Sequence, residues 1–156
     1  MNELLKQIEN LLAAGRLGED TLQQVLAAVL AHFKSETGTI HLLDAEKQEL
    51  HLAVQIGLPP ALLDAVKLIP VGKGIAGQVV ARGGPVTICN LQNEKGGVAR
   101  PGAKQSGVGG ALCVPLRAGG KIMGTLGVGT IRQHEYTAEE TKLLEDVGRL
   151  VGDSVG

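Results

Sequence analysis

Aromatic side chains are almost missing from this chain: Phe33 and Tyr136 stand alone, and there is no Trp. The core must therefore be built from Leu, Val, Ile and Ala, and a ligand pocket has no rings between which to stack a purine or a haem. Single-stranded nucleic acid binds on aromatic platforms in a basic groove. Here Lys and Arg are scattered and the formal net charge is −1, so nucleic acid is not an expected partner. Met1-Asn2-Glu3-Leu4-Leu5 places an acid where a signal peptide needs a basic start. No apolar run approaches the ~18–20 residues of a membrane span, so no membrane partner is expected. Cysteine is scarce too. Cys89 and Cys113 alone are far from a disulfide framework, and a reducing cytoplasm is the expected location.

What is abundant is glycine, 23 residues, about double the usual ~7% share. A length of 156 residues fits one domain, able to bury a core without disulfides or metals. Residues 1–16 read as an N-terminal helical extension: Leu4, Leu5, Ile8, Leu11 and Leu12 recur at helical spacing and Gly15 stops them. Residues 20–155 form the core of the domain. A second helix begins near Asp20, with Gln23 placed as in a capping box, and carries the stripe Leu22, Val25, Leu26, Val29, Leu30, Phe33. Strands are expected over 39–43 and 50–56, joined as an antiparallel hairpin symmetric about Glu46. After Pro59-Pro60 comes a helical turn over 61–65. A short helix over 75–81 lies between Gly72-Lys73-Gly74 and Gly83-Gly84-Pro85, followed by a brief strand over 86–89. From Asn90 to Gly107 there is no periodicity, four Gly and a Pro, the composition of a lid or binding loop. Strands over 110–117 and 121–130 flank Ala118-Gly119-Gly120, a tight-hairpin signal. Thr137 and Glu140 form a capping box that opens the last helix. Hairpins require antiparallel pairing, so the class is α+β with helices covering one sheet face.

Five stretches in this order resemble the GAF domain family: Ile40-His41-Leu42-Leu43-Asp44, Pro70-Val71-Gly72-Lys73-Gly74-Ile75-Ala76-Gly77, Val86-Thr87-Ile88-Cys89-Asn90-Leu91, Ala111-Leu112-Cys113-Val114-Pro115-Leu116 and Ile122-Met123-Gly124-Thr125-Leu126-Gly127-Val128. The resemblance implies a central antiparallel sheet of five or six strands. It places the terminal helices on one face and a ligand cavity on the other, roofed by short helices and the long loop. It also implies a sensory module that binds a small molecule, pairs with itself through its terminal helices and serves a signalling protein. Three amphipathic helices on one sheet face point the same way, toward a C2 homodimer.

Each chemical motif has a plainer counterpart. Gly72-Lys73-Gly74-Ile75-Ala76-Gly77 satisfies G-x-G-x-x-G, but the short helix and antiparallel sheet exclude a dinucleotide fold. What survives is a glycine turn into a helix N-terminus, able to hold an anion with Lys73 beside it, or simply to close the cavity. One GAF subfamily reduces free methionine sulfoxide with cysteines at the short-helix entrance and in the cavity loop. Here Ala76 stands at the first position, and Asn90 to Gly107 holds no Cys. Bilin attachment fits poorly because Asn90, not His, follows Cys89. The cyclic-nucleotide signature is missing, and no His falls between Val71 and Val128 to ligate haem. His41 and His51 sit opposite one another if the hairpin is symmetric about Glu46. Two imidazoles are too few for a structural zinc site, and a polar pair on a partly solvated face is expected. Asp44-Ala45-Glu46 and Glu139-Glu140 are explained by a turn and by a helix start.

The expected ligand is a small polar or anionic molecule, with no cofactor and no catalytic residue. Its contacts are Lys73, Gly74, Ile75 and Gln78 at the helix entrance, Asn90, Gln92, Arg100 and Lys104 in the loop, and Thr125 on a cavity strand. The alternatives are a thiol-dependent reductase using Cys89, and a dimerisation module with an empty cavity.

Overall fold

A computed structural model describes residues 2–14, 18–60, 63–88, 109–132 and 134–155. The elements in chain order are α1 (Glu3–Ala13), α2 (Glu19–Phe33), β1 (Thr37–Asp44), β2 (Glu49–Ile56), α3 (Leu63–Val66), β3 (Leu68–Pro70), α4 (Gly74–Arg82), β4 (Val86–Ile88), β5 (Gly110–Ala118), β6 (Lys121–Thr130) and α5 (Ala138–Val155). The six strands form one sheet in the order β3-β2-β1-β6-β5-β4, with every pair antiparallel. This is the α+β class read from the sequence. No described helix is long and apolar enough to cross a membrane.

Alternation along the strands divides the sheet into two faces. On one, Ile40, Val54, Leu112, Val114, Leu116, Leu126 and Val128 meet the buried stripes of α1, α2 and α5. The α5 helix lies close to β5 because Gly148 and Gly152 have no side chain there. A Cβ at these positions would sit 2.5 Å from Pro115 O and 2.2 Å from Arg117 O. The other face carries a smaller core of Leu50, Ile69, Ala76, Val79, Val86 and Cys113, with Leu43, Ile75 and Val80 packed against it. The α4 helix covers this face.

Three details differ from the sequence expectation. Asp20 does not cap α2. The helix starts one residue earlier, its N-cap is Gly18, and no side chain bonds there, so Asp20 acts only through its charge in the first turn. Asn2 caps α1 instead, its Oδ1 accepting the Leu4 N–H at 2.7 Å. The strand Leu68–Pro70, too short for a periodic signal, is added at the sheet edge by pairing with β2.

The hairpin register is the third. Asp44 pairs with Glu49 and Leu42 with His51, while His41 faces Leu52. The four residues 45–48 close the turn: Asp44 Oδ1 accepts the N–H groups of Glu46 (3.1 Å) and Lys47 (3.2 Å), and Gln48 adopts φ +53°. A loop of even length cannot be symmetric about one residue, so the expected His41–His51 pairing is lost. A register shift between Ile40 and His41 makes room for the extra residue Ala53, a bulge that keeps Val54 in the main core.

Two other expectations stand in the structure. Gly119 and Gly120 turn β5 into β6 with φ +56° and +84°, as a tight hairpin of right-twisted strands requires. At the start of α5, Thr137 N–H donates to Glu140 Oε1 (2.9 Å) and Glu140 N–H to Thr137 Oγ1 (3.0 Å), the reciprocal capping box.

Candidate functional site

The face under α4 carries two polar side chains in its apolar floor. His41 on β1 and Thr125 on β6 are cross-strand partners and are 2% and 0% exposed. The solvated setting expected for His41 is therefore wrong: the strand that puts Ile40 into the helix-side core turns His41 to the opposite, covered face. His51 points to the helix side, is exposed, and approaches Glu49 Oε1 at 3.1 Å. The two histidines lie on opposite faces and cannot share a ligand.

The tautomer of His41 follows from its neighbour. Nε2 lies 2.8 Å from Val66 O at the end of α3. A carbonyl oxygen only accepts, so Nε2 carries the proton and Nδ1 presents a lone pair. Burial lowers the His41 pKa, partly opposed by the bond to Val66, and His51 lowers it further. The ring is thus neutral at physiological pH. His41 Nδ1 is buried without a hydrogen-bond partner, and Thr125 Oγ1 is buried with no nitrogen or oxygen partner. Thr125 does reach the neighbouring Cys113 thiol, which its hydroxyl and the Val114 backbone tend to acidify. Burial overrides them and pushes that thiol up to about 12, so Cys113 stays protonated and inert.

At the rim, Lys73 is exposed and forms the N-cap position of α4, and no side chain caps the helix. Ile75 packs its side chain into the smaller core, so only its backbone N–H, like that of Gly74, is available to a ligand. Gln78 donates its amide to Gly72 O at 2.8 Å, which stabilises the glycine turn and commits one of its hydrogens. Asn90, Gln92, Arg100 and Lys104, together with Cys89, lie outside the described residues. Of the expected contacts, the structure thus brings Lys73, Gly74, Ile75 and Gln78 to the start of α4 and Thr125 to the floor beneath it. His41 was missed as a floor residue. The signal was its place between Ile40 and Leu42 in an alternating strand, masked by a register assigned from turn symmetry.

A separate crevice of about 290 Å³ lies on the helix side, lined by Asn2, His32, Phe33, Thr137, Glu139, Glu140 and Leu143. Its polar wall is the capping apparatus of α5. Among the described residues, one group has metal-ligand composition: Asp44, Glu49 and His51 at the tip of the β1–β2 hairpin.

Comparison with known proteins agrees with this architecture. The Nif-specific regulatory protein of Azospirillum lipoferum is 25% identical over 143 residues, which cover 88% of this chain and 23% of that protein. The chain therefore spans about a quarter of the length of this relative. Among solved structures, the GAF domain of an Acinetobacter phosphoenolpyruvate-protein phosphotransferase superposes with TM-score 0.82 at 21% identity, covering 99% of this chain and 94% of that one. The free methionine-R-sulfoxide reductase of Neisseria meningitidis, solved with its substrate, gives TM-score 0.83 at 23% identity over 97% of this chain and 86% of that one. At such identities the likeness is one of fold. The GAF domain family model matches residues 19–155, and the chain belongs to the GAF domain family.

Proposed function

We propose that this GAF domain is a small-molecule sensor rather than an enzyme, and that its ligand sits on the α4 side of the sheet against His41 and Thr125. The observation that carries this reading is a pair of buried polar atoms on one cross-strand row, His41 Nδ1 with no partner and Thr125 Oγ1 with only the Cys113 thiol beside it. An orphaned buried group costs about 1–3 kcal/mol, a cost that His41 Nδ1 carries in full and that a donor from outside would remove. The lone pair of His41 Nδ1 asks for an N–H or O–H from the occupant, and the Thr125 hydroxyl can give or take a bond. An anionic group at the other end of the same molecule suits the uncapped N-terminus of α4, through the Gly74 and Ile75 N–H groups and the Lys73 ammonium. Gln78 and the loop residues Asn90, Gln92, Arg100 and Lys104 complete the proposed contact set.

A small, polar, bipolar molecule fits this combination. The similarity to a Nif-specific regulatory protein supports a sensing role in a cytoplasmic regulator, paired with a second copy through the terminal helices. The likeness to a sulfoxide reductase does not carry chemistry here. Ala76 stands at the short-helix entrance, and Cys113 is buried and protonated. A reductase working through Cys89 would show that thiol alkylated with a lowered pKa, whereas the sensor reading expects no lowered value.

A thermal-shift screen of small polar metabolites tests the proposal. A ligand at 100 times its Kd stabilises the folded state by about 2.7 kcal/mol, which raises Tm by roughly 5–11 °C in a domain of this size. His41→Phe should abolish the response to a hit. A hit that stabilises His41→Phe and Thr125→Val as well as the parent chain would exclude this face as the site.

A further inference from the structure

The register that separates His41 from His51 assembles a different set of side chains at the hairpin tip. Asp44 and Glu49 are cross-strand partners, and His51 follows Glu49 by two residues, so all three project from the same face of a two-stranded platform. We propose that Asp44, Glu49 and His51 bind a divalent transition-metal ion such as Zn2+, independently of any ligand under α4.

One donor atom from each residue lies within 4.8 Å of the other two. An ion holding donors at about 2.0–2.2 Å places them roughly 3–3.6 Å apart, a difference that small side-chain rotations close. The Asp44 carboxylate is already oriented. Its Oδ1 takes the N–H groups of Glu46 and Lys47, and this backbone anchoring is what outer-shell partners do at metal sites. The charge also points to a cation. Among the described residues no Lys or Arg pairs with Asp44 or Glu49, and Glu49 has only His51 for a partner although its side chain is just 20% exposed. Two carboxylates bring two negative charges to match a divalent ion. The imidazole favours zinc, cobalt or nickel over magnesium and calcium, which take oxygen. Three protein donors leave at least one position for water. The same turn is tied to the α4 entrance, because Gln48 O accepts the Val71 N–H at 3.0 Å.

Titration calorimetry of the whole chain with Zn2+, and separately with Mg2+, tests the site. One-to-one Zn2+ binding with no Mg2+ response is expected. Binding should weaken by at least about tenfold in each of Asp44→Asn, Glu49→Gln and His51→Gln, since even outer-shell partners cost that much. Asp44→Asn keeps an oxygen for the turn, and circular dichroism verifies that every variant is folded. His134→Gln should bind as the parent does, although His134 also approaches a carboxylate, Glu140 Oε1 at 3.4 Å. The imidazole resonances of His51 should move on adding Zn2+. Absence of Zn2+ binding, unchanged affinity in His51→Gln, or ring shifts at His32 or His134 in place of His51 would each overturn the proposal.

Discussion

A buried polar atom with no partner, or only a weak one, destabilises the fold that contains it, and this gives His41 and Thr125 opposite signatures in stability and in binding. Thr125→Val replaces a hydroxyl whose one polar neighbour is the weakly bonding Cys113 thiol by a methyl of nearly the same volume. The variant should be as stable as the parent or more so by about 1 kcal/mol, measured by urea unfolding, while losing the response to ligand. His41 adds a pH dependence with a definite sign. Its folded-state pKa lies below the unfolded value of about 6.5, so the unfolded chain binds the extra proton first. Stability is therefore held above about pH 6.5 and falls as the pH drops through that value, by at most ~1.4 kcal/mol per pH unit for one proton. The fall should be absent in His41→Gln between pH 6.5 and 5.5, a window above the ordinary carboxylate range. A profile that is flat there in the parent chain would mean that the ring is not buried as described. Thr125 could be named from sequence because it breaks an apolar strand that the family resemblance places over the cavity. The role of His41 was hidden because the alternation that sets its face opposite Ile40 was set aside for a pairing with His51 assumed from turn symmetry, and neither the even turn nor the bulge at Ala53 leaves a mark in the hydrophobic pattern.

At the level of elements, the meeting of α5 with the sheet is set by glycine rather than by a large side chain. Gly148→Ala and Gly152→Ala would each gain up to about 1 kcal/mol in helix propensity. They would also drive a Cβ into the carbonyls of Pro115 and Arg117, and overpacking against backbone costs about 1–3 kcal/mol or more. Both variants should be net destabilised in chemical unfolding, with Gly152→Ala the worse because its Cβ meets three β5 backbone atoms. Thr137→Ala, which breaks the capping box, should cost about 1 kcal/mol and leave ligand binding intact. The helix and its cap were legible because capping has a fixed spacing and α5 an unbroken apolar stripe. The N-terminus of α2 was misread because Asp20 and Gln23 have the right spacing, while the chain enters the helix at Gly18 with no side-chain bond. Capping motifs report a possibility that the backbone path then takes or declines. The strand Leu68–Pro70 could not be seen at all: three residues carry no period, and the edge of β2 makes them a strand.

For the molecule as a whole, hairpin spacing pointed to the β1–β2 and β5–β6 pairs, while the β1–β6 seam and the edge pairings of β3 and β4 left no local signal. The family resemblance supplied the helix-packed face and the expectation of a ligand on the other. Half-buried Leu5, Leu11 and Leu12 on α1, with Leu143, Leu150 and Val155 on α5, are the residues from which a helix-mediated dimer would be built. Light scattering should give twice the 16.1 kDa chain mass at micromolar concentration, and Leu11→Glu or Leu150→Glu should shift it toward the monomer. The nature of the ligand was not legible, because the contacts proposed to discriminate one small polar molecule from another lie partly in the 90–107 stretch, whose sequence shows no periodicity. Native mass spectrometry of the purified chain, incubated with a small-molecule cell extract and then exchanged into volatile buffer, asks the central question directly. A sensor with its site against His41 and Thr125 should carry an excess mass of a few hundred daltons that disappears on denaturation and in His41→Phe. A protein that keeps its bare chain mass through this treatment, or an adduct that His41→Phe retains in full, would contradict it.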